Sequence, residues 1–182
     1  MLFHFDVTLT DVDYLEFNKF HSIRSPFGVK QMRGVRSFLY ILHVILVIIA
    51  LLSNGFTLSF CYHFIIYTAI LAVAVMLIKP FMNFSIKMQV KAIKQGGKLP
   101  YTKKSTIDFY DGYLIDTTPE EVTKQNYSLI ERTAVVEGKA VYVYVSNLSA
   151  HIIPYTSFES KEQLDSFIEF IKTVNPEVNY YK

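Results

Sequence analysis

The chain has 182 residues, 51% of them hydrophobic and 19% charged. That is richer in apolar residues than an ordinary soluble domain, and its length suits one domain plus an appendage. The single cysteine, Cys61, excludes an intramolecular disulfide.

The net charge of +2 becomes informative once divided along the chain. Residues 1–16 carry four acids and no base. From Phe17 to Lys98 there are ten Lys or Arg and no Asp or Glu. Residues 99–182 carry twelve acids and eight bases, a net of −4. Positive charge therefore collects around one region.

The opening "MLFHFDVTLT" alternates Phe3, Phe5, Val7 and Leu9 against His4, Asp6 and Thr8. The alternation predicts a half-buried strand over residues 3–9 and does not match the basic and apolar regions of a cleavable signal. "TDVDYLEFNKFHSIRS" follows, with Thr10 or Asp11 as an N-cap and Tyr14, Leu15, Phe17 and Phe20 at helical spacing. Pro26 and Gly28 are expected to end that helix. A strand and a helix this short make no core alone, so residues 1–36 are expected to dock on something encoded later.

Ser37 to Ile78 is a run of 42 residues without Asp, Glu, Lys or Arg. A membrane-crossing helix needs about 20 residues, so the run is long enough for two. Ser53, Asn54 and Gly55 divide it, and Asn and Gly tolerate the backbone that ends a helix. The reading is a two-helix transmembrane hairpin, with spans at about residues 37–53 and 56–78. Lys19, Arg24, Lys30, Arg33 and Arg36 precede it, and Lys79, Lys87, Lys91, Lys94 and Lys98 follow. The positive-inside rule then puts both long segments, and both termini, in the cytoplasm.

Within the spans, Cys61 reads as a small buried hydrophobe. His43 and His63 invite a metal or proton-relay reading. His43 lies roughly 9 Å from the cytoplasmic start of its span, and His63 near the outer start of the other. In an antiparallel hairpin they fall on the order of 15 Å apart in depth, so packing or interfacial roles fit them better. Tyr40, Tyr62 and Tyr67 suit interfacial or packing positions. Ala72 and Ala74 are small residues of the kind that favour close helix contact.

After Pro80 the chain is expected to leave the membrane. "SIKMQVKAIKQGGK" then predicts a basic juxtamembrane helix within residues 79–98, stopped by Gly96 and Gly97. Lys87, Lys91, Lys94 and Lys98 fall within about 60° of arc on it. That stripe reads either as contact with anionic lipid headgroups or as a solvated face that merely obeys the charge rule. Nucleic acid is not expected as a partner, because no stacking aromatics interleave these lysines.

Residues 99–182 change to β texture. "STIDFYDGYLIDTT" predicts two strands about Asp111-Gly112. "YSLIERTAVVEGKAVYVYVS" predicts two more, turning at Glu137-Gly138-Lys139. "AHIIPYTSF" is a fifth, an edge or bent strand because of Pro154. Ser160 caps "SKEQLDSFIEFIKTV", with Gln163 at the capping-box position and an apolar stripe of Leu164, Phe167, Ile168, Phe170 and Ile171. The strand at residues 3–9 is a plausible further member of the sheet. Glu120-Glu121 after Pro119 reads as a solvated turn or a helix start.

Taken in order, "VTLTDVDYLEFNKFH", the hairpin, "IDFYDGYLI", "YSLIERTAVVEGKAVYVYVS" and "SAHIIPYTSFESKEQLDSFIEFI" resemble the bacterial YcxB-like family. These are small two-span membrane proteins with a C-terminal YcxB-like domain. The resemblance implies a pleckstrin-homology-like (PH-like) sheet-and-helix domain facing the cytoplasm. It implies no enzymatic activity, and it supplies no catalytic residue. Gly112, Pro154 and Phe158 match as turn, edge and core positions.

The expected class is an α+β membrane protein: the hairpin plus a cytoplasmic antiparallel sheet with a C-terminal amphipathic helix. No phosphate-binding glycine loop, HExxH or Cys-His set is present. Ser149 and His151 share a strand face, as ordinary sheet pairing would place them. Asp108 and Asp111 flank a turn for backbone reasons. No catalytic residue, metal or cofactor is expected. The expected function is a non-enzymatic, membrane-anchored binding or regulatory module in the bacterial cell membrane. Its partners would be the bilayer, with anionic headgroups at Lys87, Lys91, Lys94 and Lys98, and an unknown membrane or cytoplasmic protein. The alternative is an accessory subunit of a membrane complex such as a transporter, or an immunity protein against a membrane-active toxin.

Overall fold

A computed structural model describes residues 1–95, Leu99 and residues 101–182. The chain divides into two compact units, Met1–Phe17 with Gly97–Lys182, and Asn18–Gly96.

The first unit is built on two sheets. β1 (Phe3–Thr8), β2 (Lys104–Phe109), β3 (Tyr113–Thr117) and β4 (Val122–Asn126) form an antiparallel sheet in that order. The N-terminal strand enters it across a long separation, with Phe3 opposite Phe109 and Thr8 opposite Lys104. Its alternation places Phe5 and Val7 inward, as the sequence predicts. Gly112 closes the β2–β3 turn at φ +88, where a side chain would be strained.

The second sheet has the order β7-β6-β5-β8. β5 is Arg132–Val136, β6 Ala140–Tyr144, β7 Ala150–Pro154 and β8 Val178–Tyr181. Gly138 turns β5 into β6 at φ +69. Pro154 ends β7, which is an edge strand as expected. Every residue of β5 and β6 is buried, so both faces of these strands are covered. Tyr142 on the outer face meets Phe17 of α1 (Asp11–Lys19), ring centroids 5.1 Å apart.

Two features of the strands differ from the sequence reading. β4 and β8 are additional strands, and β8 runs parallel to β5. Glu120 and Glu121 lie in an exposed turn that leads into β4, the turn and not the helix start of the two readings, and the antiparallel arrangement has one parallel exception.

α4 (Lys161–Val174) closes the core between the two sheets. Ser160 Oγ accepts the Gln163 N–H at 3.2 Å, while Gln163 Oε1 accepts the Glu159 N–H at 2.8 Å. The first bond satisfies a donor that the first helical turn leaves free, and the second ties the residue before the cap to the same glutamine. The helix buries Phe167, Ile168 and Ile171. Phe167 sits 4.8 Å from Phe5 and 5.0 Å from Phe109, edge to face, so α4 and the first sheet share one aromatic core.

The second unit is dominated by two long helices. After α1 a π-helical turn, Phe20–Arg24, leads to α2 (Pro26–Asn54). Pro26 is thus the first residue of a 29-residue helix, not the end of the preceding one. Ser25 caps it by accepting the Gly28 N–H at 3.1 Å, and proline suits a first helical position because its missing N–H would be unpaired there. A Cβ on Gly28 would lie 2.4 Å from the Ser22 carbonyl carbon, so this close approach requires glycine.

α2 ends where the sequence predicts. The Gly55 N–H bonds to Leu51 O at 2.8 Å and the Asn54 amide to Ala50 O at 2.9 Å. Gly55 at φ 58, ψ −166 occupies a region open essentially to glycine alone. The chain then turns back into α3 (Leu58–Gln95), which packs along α2.

α3 runs 38 residues straight through Pro80. The basic segment is therefore the last part of this helix, not a separate one. A proline inside a helix forfeits one hydrogen bond, and here the helical spacing of Ile78, Met82 and Ile86 continues past it, with Ile78 and Ile86 buried on one face. Gly96, Gly97 and Lys98 lie outside the described residues. α2 and α3 are both long and apolar enough to cross a membrane, and only 6% of each apolar window is buried.

Candidate ligand groove

The first unit carries a groove of about 750 Å³ between the start of α4 and the end of β8. Val135, Phe158, Leu164 and Ile168 form its apolar floor, and Tyr155, Tyr180 and Tyr181 its walls. Glu137, Lys161, Asp165 and Lys182 stand at the rim. A few polar groups around apolar walls is the usual make-up of a binding cleft, and the volume falls in the range of small-ligand sites.

Each lining residue has a local reason for its place. Leu164 and Ile168 are four residues apart, one helical turn, so both face the groove. Glu137 is held in the β5–β6 turn by the positive φ of Gly138, and its backbone N–H bonds to Tyr181 O at 2.9 Å. That bond brings the end of β8 beside the turn. Tyr155 follows β7, and its N–H bonds to Lys139 O at 2.9 Å. Burial pushes the Tyr155 hydroxyl above its ordinary pKa, and the carboxylates of Glu137 and Asp165 push the same way.

The sequence-predicted residues distribute as follows. Lys87, Lys91 and Lys94 lie on the last turns of α3 and are exposed, and Lys98 falls outside the described residues. Cys61 is exposed on α3, not buried as the sequence suggested. His63 Nδ1 lies 2.7 Å from Ser59 O within its own helix, whereas His43 packs 6.3 Å from Phe64. Phe64 is the residue next to His63, so the two histidines lie closer in depth than the separation expected from the sequence, although each has partners of its own. No set of three or more His, Cys, Asp or Glu that could hold a metal occurs among the described residues.

His151 has partners that its local sequence does not announce. Its Nδ1 lies 2.9 Å from Asp116 Oδ2 on β3 and its Nε2 2.8 Å from Gln125 Oε1 on β4. His151 therefore ties the second sheet to the first. Ser149, expected on the same strand face, instead lies just before β7 and gives its backbone N–H to Ser146 Oγ at 3.0 Å. His4 and Asp108 form a cross-strand pair at 2.6 Å, which holds the His4 imidazole above its ordinary pKa. Arg132 is buried, with its guanidinium 4.0 Å over the Tyr144 ring and Nη1 3.3 Å from Asn147 Oδ1.

Sequence reasoning found the floor residues of α4 through its apolar stripe. It missed Tyr180 and Tyr181 as parts of a site, which the parallel β5–β8 pairing brings there, and Glu137 and Tyr155, which the β5–β6–β7 pairing brings together.

Residues 109–171 match the family described as YcxB-like protein. The match runs from the end of β2 to the last buried turn of α4, and over that stretch it bears out the resemblance read from the sequence. No curated protein and no solved structure matches the chain.

Proposed function

We propose that this protein is a non-enzymatic binding module anchored in the bacterial cell membrane, and that the groove between α4 and β8 is its site. The observation that carries the reading is the groove itself: apolar residues of a core helix and of β5, with exposed charged residues around them. The anchor is the α2–α3 hairpin, whose apolar windows are almost wholly unburied by protein. In this reading it crosses the bilayer twice and leaves both termini in the cytoplasm.

The order of elements supports a PH-like unit. An antiparallel four-strand sheet is followed by β5–β7 and then by a helix that fills the space between the sheets. Lys87, Lys91, Lys94 and Lys98 serve as headgroup contacts at the membrane surface, each worth about 1 kcal/mol on an anionic bilayer.

The competing reading is a subunit of a membrane complex that recognises its partner through the spans. It is favoured by the same exposed helices. The test is recovery of the full chain, with its partners, from its native membrane in mild detergent. Two variants are compared with it: Leu164→Lys, which puts a charge in the groove, and replacement of residues 38–78 by an unrelated hairpin. Loss of a partner with Leu164→Lys and retention after the replacement would support the groove. The reverse pattern would transfer the function to the spans.

A further inference from the structure

We infer that Arg132 is an anion site: the Nε–Nη2 edge of its guanidinium takes one small carboxylate. The site lies apart from the groove. Arg132 begins β5 and Glu137 follows its end, roughly 16 Å away along an extended strand.

The first observation is an unanswered charge. Arg132 is only 7% exposed. Its Nη1 donates to Asn147 Oδ1 at 3.3 Å, and its guanidinium carbon lies 4.0 Å over the ring of Tyr144, its partner across the β5–β6 pairing. Nε and Nη2 are buried and reach no acceptor in the protein. Arginine keeps its proton at physiological pH, so titration cannot discharge it. A buried cation without a counter-charge is strongly destabilising, and a ring face and one amide oxygen do not supply a full negative charge.

The second observation is shape. Nε and Nη2 present two parallel N–H groups along one edge, which a carboxylate meets with both oxygens at once. A phosphate shares that fork geometry but carries more charge than one buried cation balances.

The third observation is size. The free edge is covered by protein, while Nη1 reaches Asn147, which is exposed in the turn between β6 and β7. The guanidinium therefore lies one side chain below the surface. A ligand that enters past that turn is an anion of a few atoms, not a peptide or a nucleotide. The chain has a carboxylate of its own nearby, because the Thr133 N–H bonds to Glu177 O at 2.9 Å beside Arg132. Glu177 is nevertheless exposed, and among the described residues no ion pair joins it to Arg132.

The test uses the full chain in nanodiscs of zwitterionic lipid, with isotope-labelled arginine. Sodium acetate is titrated against sodium chloride at matched ionic strength, and the arginine Nε–H resonances are followed by NMR. Arg132→Lys keeps the charge but loses the edge, so it identifies the Arg132 signal by its absence. That signal is expected to shift saturably with acetate and not with chloride. Inorganic phosphate should need at least about tenfold more to produce the same shift. Thermal unfolding gives a second readout. At about five times its dissociation constant, acetate should raise the midpoint of the natural chain by about 2–4 °C. Arg132→Met removes the buried charge, so it should fold and show no response to acetate. Equal responses of the natural chain and Arg132→Met would place the acetate elsewhere and overturn the assignment. Phosphate binding as tight as acetate would overturn the carboxylate class. A shift of the Arg132 signal in Glu177→Gln but not in the natural chain would mean that Glu177 fills the edge itself, and the external ligand falls. No shift in either protein would leave Arg132 a structural residue held by Asn147 and Tyr144, and the proposal falls with it.

Discussion

His4 and Asp108 face one another directly across β1 and β2, and His4 Nε2 also lies 3.6 Å from Asp6. The hydrogen bond to Asp108 is the largest cause of the raised His4 pKa, with Asp6 adding less. A histidine whose folded-state pKa lies above its free value of about 6.5 stabilises the fold fully below that value. The contribution is lost as pH rises through the folded-state pKa. His4 is 46% exposed, so solvent screening keeps the effect small. The imidazole resonances of His4 are expected to titrate above the ordinary midpoint in the natural chain and to return towards it in Asp108→Asn. Thermal stabilities of the two proteins should differ most in mild acid and converge as pH rises. An unchanged His4 midpoint in Asp108→Asn would show that the pair does not form. The partnership links the N-terminal strand to residues more than a hundred positions away, so one titration also reports whether β1 is docked.

At the scale of elements, α4 carries both the core and the groove, and its start is set by one residue. Ser160→Ala removes the acceptor for the Gln163 N–H and is expected to cost about 1 kcal/mol, whereas Ser160→Gly costs only a few tenths. Thermal unfolding of the full chain reads the difference. Equal stability of the alanine variant and the natural chain would mean that the Ser160 hydroxyl does not cap the helix. The cap was legible because its chemistry is local: a serine, then a glutamine three residues on, then an apolar stripe. The turns at Gly112 and Gly138 were legible for the same reason, since positive φ asks for glycine. β4 was not. Val122–Asn126 is polar and largely exposed, and it is a strand only because Tyr113–Thr117 lies beside it. β8 was hidden in the same way, four residues after a proline that become a strand by pairing with β5 from a distance. Tyr180 and Tyr181 reach the groove through that pairing, so this wall of the site was invisible to a reading of local pattern. Pro80 misled in the opposite direction: the local rule says the helix breaks, but the apolar spacing on either side holds it together.

For the whole molecule, the decisive property is the contrast between the hairpin and its flanks. Ten Lys or Arg and no Asp or Glu surround a run of 42 uncharged residues, while the turn at Gly55 carries no charge at all. Moving the flanks across a bilayer would carry those cations with it, so the short turn is the part expected to cross. The single native cysteine makes this measurable. With Cys61→Ala as background, Asn54→Cys places a thiol beside the turn, and Leu148→Cys places one on a residue 71% exposed in the first unit. A membrane-impermeant maleimide should label the first in intact cells and the second only after the membrane is opened. Labelling in the opposite order would invert the topology and put the groove outside the cell. Labelling of neither until the membrane is opened would mean that the hairpin enters the bilayer without crossing it. Only the first outcome gives the groove a cytoplasmic ligand, and it also sets Lys87, Lys91, Lys94 and Lys98 against the leaflet where anionic lipid makes a basic stripe worth most.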